Sequence, residues 1–139
     1  FGTDANGLTH TISCFTNPVI TWVGFFATLY TFYAAFKKKS KIAFIISVGY
    51  LSALLPWVSL VQRCVFAYHF YPTSFFMLLT IVYMSSKLVS ANKNNVKYIK
   101  IFVVLSVFVF ILFLPVIAGH GTSLTYIHML EWFGSWYFG

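Results

Sequence analysis

Residues 98–117 read YIKIFVVLSVFVFILFLPVI. After Lys100 no charge interrupts the run, and Val, Ile, Leu and Phe fill nearly every position. In water such β-branched density would favour a strand. A segment this long and this apolar instead has the length of a bilayer span. In hydrocarbon the backbone must satisfy its own hydrogen bonds, so the segment is predicted to be a helix whatever its propensity.

Three more spans follow from the same reasoning, at about 19–36, 42–60 and 69–86. The first opens on Asn17-Pro18, and proline suits a first helical turn because its missing N–H costs little there. The second carries Ser47, Gly49, Ser52 and Ala53, small residues of the kind that let membrane helices approach closely. Pro56 is expected to kink it or end its regular part, with Trp57 near the interface. The third is short if it starts at Pro72, so it must begin inside the aromatic stretch before it, or the bilayer must thin. Residues 1–17 and 87–100 read as loops. After residue 117 the chain turns polar, and Thr122 or Ser123 is placed to cap a short interfacial helix through about Phe133. The expected fold is therefore an all-α membrane protein, four transmembrane helices in a bundle plus a short C-terminal helix, all in one domain.

Composition agrees. Of the 139 residues, 60% are hydrophobic and 22% aromatic but only 8% charged, which is too apolar for a soluble domain of this size. The net charge of +7 does not point to nucleic acid. Every lysine falls within 37–41 or 87–100, the two intervals that separate spans one from two and three from four. That placement reads as two cytoplasmic loops whose lysines touch anionic lipid heads. Both chain ends and the connection between spans two and three then lie outside. The chain opens on FGTDANG with neither an initiator Met nor a signal peptide, and reads as part of something longer.

The outer connection, 63–72, reads RCVFAYHFYP. It holds the sole arginine, with Tyr68 and His69. A guanidinium between two spans must reach water or line a polar cavity. Arg63 can be a snorkelling anchor at a helix end. It can equally present a two-pronged fork to a phosphate. Other chemistry is sparse. Asp4 and Glu131 are the only carboxylates and lie near opposite ends of the chain. His120 and His128 lack an evident third metal ligand. Cys14 and Cys64 have no CxxC spacing, and whether they pair is open. No phosphate loop, HExxH or GxSxG occurs.

The segments ISCFTNPVITWVG (12–24), GYLSALLPWVSLVQRCVFAYHFYP (49–72), FLPVIAG (113–119) and LEWFGSWYF (130–138) together resemble, in order and spacing, the C-terminal four-span region of bacterial protein O-mannosyltransferases. Gln62 departs from the proline often found there. The resemblance implies the type-C glycosyltransferase fold. It implies an enzyme that moves mannose from polyprenyl phosphate mannose to Ser or Thr of exported proteins at the outer face of the cell membrane. It implies no cofactor. The partners would be the lipid-linked sugar donor, a protein acceptor and membrane lipids. The donor phosphate would be bound by Arg63, with His69 and Tyr68 adding hydrogen bonds. Catalytic carboxylates of that family lie in an N-terminal half that this stretch does not match, so these residues alone are expected to be inactive. Two alternatives remain: a transferase of the same fold acting on another lipid-linked sugar, and a non-enzymatic transporter or scaffold module, for which broken helices at mid-membrane would be the sign.

The orientation is directly testable. With Cys14 and Cys64 replaced by serine, a cysteine placed at Lys39 or Lys93 should resist an impermeant thiol reagent in intact cells and react fully after lysis. Comparable labelling before and after lysis would refute the assignment of the lysine loops to the inside.

Overall fold

The computed structural model describes residues 2–3, 9–10, 16–59 and 70–132. Four long helices dominate: α1 Pro18–Phe36, α2 Lys41–Ser59, α3 Tyr71–Ala91 and α4 Val96–Ile117. At 19 to 22 residues and about 1.5 Å per residue, each matches a hydrocarbon core of roughly 30 Å. All four are long and apolar enough to cross a membrane. A fifth helix, α5 Leu124–Leu130, is short. A two-residue antiparallel pair, β1 Gly2–Thr3 with β2 Thr9–His10, lies in the segment expected to be loop throughout.

The chain divides into two compact units, Pro18–Val103 and Phe1–Asn17 with Val104–Gly139. In the first, α1, α2 and α3 pack against one another pairwise. Their interior is small and hydroxylated: Gly24, Ala27, Thr28, Thr31, Ala34 and Ala35 on α1 are buried, as are Ala43 and Ser47 on α2 and Thr73 and Thr80 on α3. Met77, Ile81 and Tyr83 of α3 are buried with them, but many large apolar residues point outward, among them Phe26 at 60% and Ile45 at 69% exposure. A soluble bundle has the opposite arrangement. Lipid removes the hydrophobic drive between helices, so close backbone contact and hydrogen bonds must hold them instead.

Both are visible. A Cβ on Gly24 would lie 2.5 Å from Met77 Cγ, and one on Gly49 would overlap the Phe76 ring. Thr28 Oγ1 and Thr80 Oγ1 meet at 3.2 Å between α1 and α3. Each hydroxyl also reaches its own helix, Thr28 to the Gly24 carbonyl at 2.8 Å and Thr80 to the Met77 carbonyl at 2.7 Å. These contacts set helix direction. Positions 24 and 28 of α1 meet 77 and 80 of α3, so the two run parallel. Gly49 meets Phe76 while Ser40, just before α2, takes a hydrogen bond from Tyr83 Oη at 3.0 Å, so α2 runs antiparallel to α3.

The third helix corrects the expected span of 69–86. It starts at Tyr71 and continues five residues past Ser86. The polar residues there do not break it. Ser86 and Ser90 donate to the carbonyls of Tyr83 and Ser86, which keeps hydroxyls satisfied within a helix. Lys87 lies over the Tyr83 ring one turn earlier, 5.6 Å from its centroid. The helix stops at Asn92, whose side chain accepts from Asn94 N–H at 2.9 Å. A 3-10 turn, Lys93–Asn95, leads directly into α4. The loop expected over 87–100 is thus a four-residue connection.

In the second unit, α4 ends in a Schellman turn. Gly119 adopts φ 71° and His120 N–H reaches the Pro115 carbonyl at 3.0 Å, the six-to-one bond of that motif. The chain then reverses. Ser123 caps α5, as expected, accepting from Tyr126 N–H. Tyr126 Oη donates to the Leu112 carbonyl at 2.7 Å, and the Phe113 and Trp132 rings meet edge-on at 5.3 Å. This helix ends at Leu130 rather than Phe133, because Glu131 leaves helical geometry at φ −78°, ψ 68°. Pro56 lies inside α2, which runs three residues beyond it.

Filling the closest approach should open the bundle. Gly49→Leu forces the Phe76 ring aside and should cost about 1–3 kcal/mol, read as a lower melting temperature in detergent. Ser52→Leu, on the exposed face of the same helix, should melt near wild type. Equal melting of the two variants would show that the α2–α3 contact does not hold the bundle.

Candidate functional site

The helix directions give the first unit two chemically different ends. One end carries the α1–α2 turn and the α3–α4 turn, with Lys37, Lys38, Lys39 and Lys41 on the first and Lys87, Lys93, Lys97 and Lys100 about the second. Tyr83 ties α3 to the α1–α2 turn, bonded to Ser40 and buried with Ala34, Ala35 and Ala43. Lys38 lies over the rings of Tyr30 and Tyr33 at 5.4 and 5.8 Å, so its stem covers aromatic surface while its charge stays at the end of the bundle.

The other end holds the start of α1, the end of α2 and the start of α3. Residues 60–69 connect Ser59 to Phe70 there. Arg63, Tyr68 and His69 belong to that connection and lie outside the described residues, as do Asp4, Cys14 and Cys64. What is described is the rim to which the connection is attached. Phe70 precedes α3 without a side-chain cap, and no acidic residue stands in the first turn. Ser74 Oγ donates to the Phe70 carbonyl at 3.0 Å. Thr73 is completely buried, and its hydroxyl has no hydrogen-bond partner among the described residues. Ser47, deeper in α2, is in the same condition at 3% exposure. A buried hydroxyl without a partner costs about 1–3 kcal/mol.

Sequence reasoning singled out Arg63, and Ser47 only as a small contact residue, but passed over Thr73 and the Thr28–Thr80 pair. A hydroxyl inside an apolar run carries no mark of which way it faces, so no sequence signal distinguished them. Glu131 proves to be paired: its Oε2 lies 2.9 Å from His128 Nδ1. It follows α5 directly, so the pair closes the last turn of that helix. His120 is exposed on the α4–α5 turn, and among the described residues no three His, Cys, Asp or Glu side chains converge.

Among the clefts along the first unit, two differ in chemistry. One, about 540 Å³, runs between α3 and the first turns of α4 and is lined by Ile81, Val82, Val89, Ile99, Phe102 and Val103 with Ser85 and Ser86. It has the volume of a small-molecule pocket but walls suited only to a hydrocarbon chain. The other lies at the α1–α2 turn. Comparison of the chain with models of protein families, with curated proteins and with solved structures yields no match.

Proposed function

We propose that this chain is the donor-holding membrane region of a type-C glycosyltransferase, one that moves mannose from polyprenyl phosphate mannose to Ser or Thr of exported proteins. The observation that carries the reading is the polarity of α1, α2 and α3. Both lysine turns share one end, so the Arg63 connection joins the helices at the other. With the lysines inside, Arg63, Tyr68 and His69 belong to the outer face, where a lipid-linked sugar would be used.

The chemistry required there is modest. Cleavage of the sugar–phosphate bond leaves charge on the carrier phosphate. A guanidinium fork held at the membrane boundary stabilises that charge without reorganising. Tyr68 and His69 are close in sequence and can add hydrogen bonds to the same oxygens. The uncapped first turn of α3 and the unpartnered Thr73 hydroxyl are polar groups next to that connection. The isoprenoid needs an apolar wall along a span, and the exposed Tyr71, Phe75 and Leu78 on the first turns of α3 supply one. The acceptor hydroxyl needs a base. Glu131 is engaged with His128, so the base is assigned to the part of the enzyme that this stretch does not match. In this reading the identity of the sugar and of the acceptor rests on the resemblance of the four sequence segments.

The test is transfer rate against donor concentration in the intact enzyme for wild type, Arg63→Lys and Arg63→Ala. A charge-assisted hydrogen bond is worth roughly 1.5–3 kcal/mol, so alanine should lower kcat/KM on the order of tenfold to a hundredfold. Lysine, which keeps the charge and loses the fork, should fall between. If both variants melt normally and turn over like wild type, Arg63 is a boundary anchor and the assignment fails.

A further inference from the structure

We infer that the cleft at the α1–α2 turn is a binding site for an anionic phospholipid of the leaflet at the lysine end. The cleft measures about 440 Å³ and is lined by Ala35, Lys39, Ser40, Lys41, Phe44 and Ile45. Its lining is that of a lipid site in miniature, two lysines and a serine beside an alanine and two large apolar residues.

Charge balance selects the headgroup. The chain has nine Lys and Arg against two Asp and Glu. One of those carboxylates, Glu131, is engaged with His128. Among the described residues no lysine pairs with a carboxylate. Lys38 is drawn to aromatic rings, whereas Lys39 and Lys41 line the cleft. Neutralising charge must therefore come from outside the chain, and at a membrane boundary the concentrated anion is lipid phosphate. Ser40 adds a donor. Its Oγ accepts from Tyr83 Oη at 3.0 Å and from Ala43 N–H at 3.4 Å, which leaves its own proton to give.

The walls select a lipid over a soluble anion. Phe44 and Ile45 are 53% and 69% exposed and continue into the outward apolar face of α2 with Ile42 and Val48. A ligand in this cleft meets cations at one side and hydrocarbon at the other. The turn is also held in a costly shape. Lys39 has φ 50°, the left-handed region where glycine or asparagine would be easier. A strained residue is a pointer to function when it stands in a site, and here it stands at the mouth of the cleft. This site is at the opposite end of the helices from Arg63 and does not depend on the proposed transferase activity.

The experiment is lipid retention by the full chain in detergent, read by native mass spectrometry with equimolar phosphatidylglycerol and phosphatidylcholine. Wild type should retain phosphatidylglycerol preferentially. The double variant Lys39→Gln, Lys41→Gln should lower that preference about tenfold or more, since each surface lysine contributes measurably to anionic lipid attraction. Lys93→Gln with Lys100→Gln, on the other turn, should leave it within about twofold. Millimolar inorganic phosphate should not displace the lipid. Thermal melts check folding, and Lys41→Gln alone carries the test if the double variant melts low. Equal loss from the two lysine pairs would reduce the effect to summed charge and overturn the site. So would the absence of preference in wild type, displacement by phosphate alone, or an acidic peptide binding there in place of lipid.

Discussion

The closeness with which α1 and α2 approach α3 governs the rest of this structure. Gly24 against Met77, Gly49 against Phe76 and Thr28 against Thr80 leave no room for a larger residue. Lipid offers Leu and Phe the same surroundings on either side of a helix, so burying them gains little. Small residues gain dispersion contacts and hydroxyls gain a partner, and both need the backbones near. The stripe Gly24, Thr28 and Thr31 on α1 recurs at helical spacing, which makes the contact a line along the helix rather than a point. A line contact fixes direction, and direction decides which turns share an end.

That logic also explains what could be read from the amino acids alone. The spans were legible because charge-free apolar runs of bilayer length have few other readings. Their inward faces were not. Large apolar residues surround every span, so the soluble rule that Phe and Ile point inward would have pointed the wrong way. Gly49 and Ser47 were singled out as contact residues and do face the interior, whereas Ser52, judged alike, is exposed. The third helix was cut short because Ser86, Lys87, Ser90 and Ala91 look like loop. Ser86 and Ser90 bond back to their own helix and Lys87 covers Tyr83, so three polar residues cost the helix little. The candidate site was legible as chemistry, through a sole arginine between spans, but not as geometry. Nothing in a single sequence says that Thr73 is buried with its hydroxyl unpartnered beside that connection.

The two ends of the first unit solve the problem of exposed helix termini differently. At the lysine end the solution is internal. Ser40 caps α2, Asn92 closes α3, and the Asn95 side chain donates to the Leu88 carbonyl at 2.8 Å. Both turns are four residues long, and Tyr83 joins α3 to the first of them. At the other end the first turn of α3 lacks a side-chain cap, and the polar group nearest it, Thr73, has no partner among the described residues. A rigid, self-satisfied end can hold the bundle in register. An end where a buried hydroxyl such as Thr73 lacks a partner among the described residues is where a polar ligand gains most.

Charge makes the two ends interdependent. Lysines at both turns gather like charge at one end of the first unit, and no carboxylate among the described residues relieves them. Contact with anionic lipid would remove that cost only when this end faces a leaflet rich in such lipid. The same contact would hold α1, α2 and α3 at a fixed depth, because Lys39 and Lys41 stand at the very ends of the helices they join. Depth at one end sets depth at the other, since α3 is a single helix from Tyr71 to Ala91. A headgroup bound at the α1–α2 turn would therefore act on the level at which the residues before Tyr71 meet the opposite interface. In the proposed enzyme that level matters, because a guanidinium held too deep loses its water and one held too high misses the carrier phosphate.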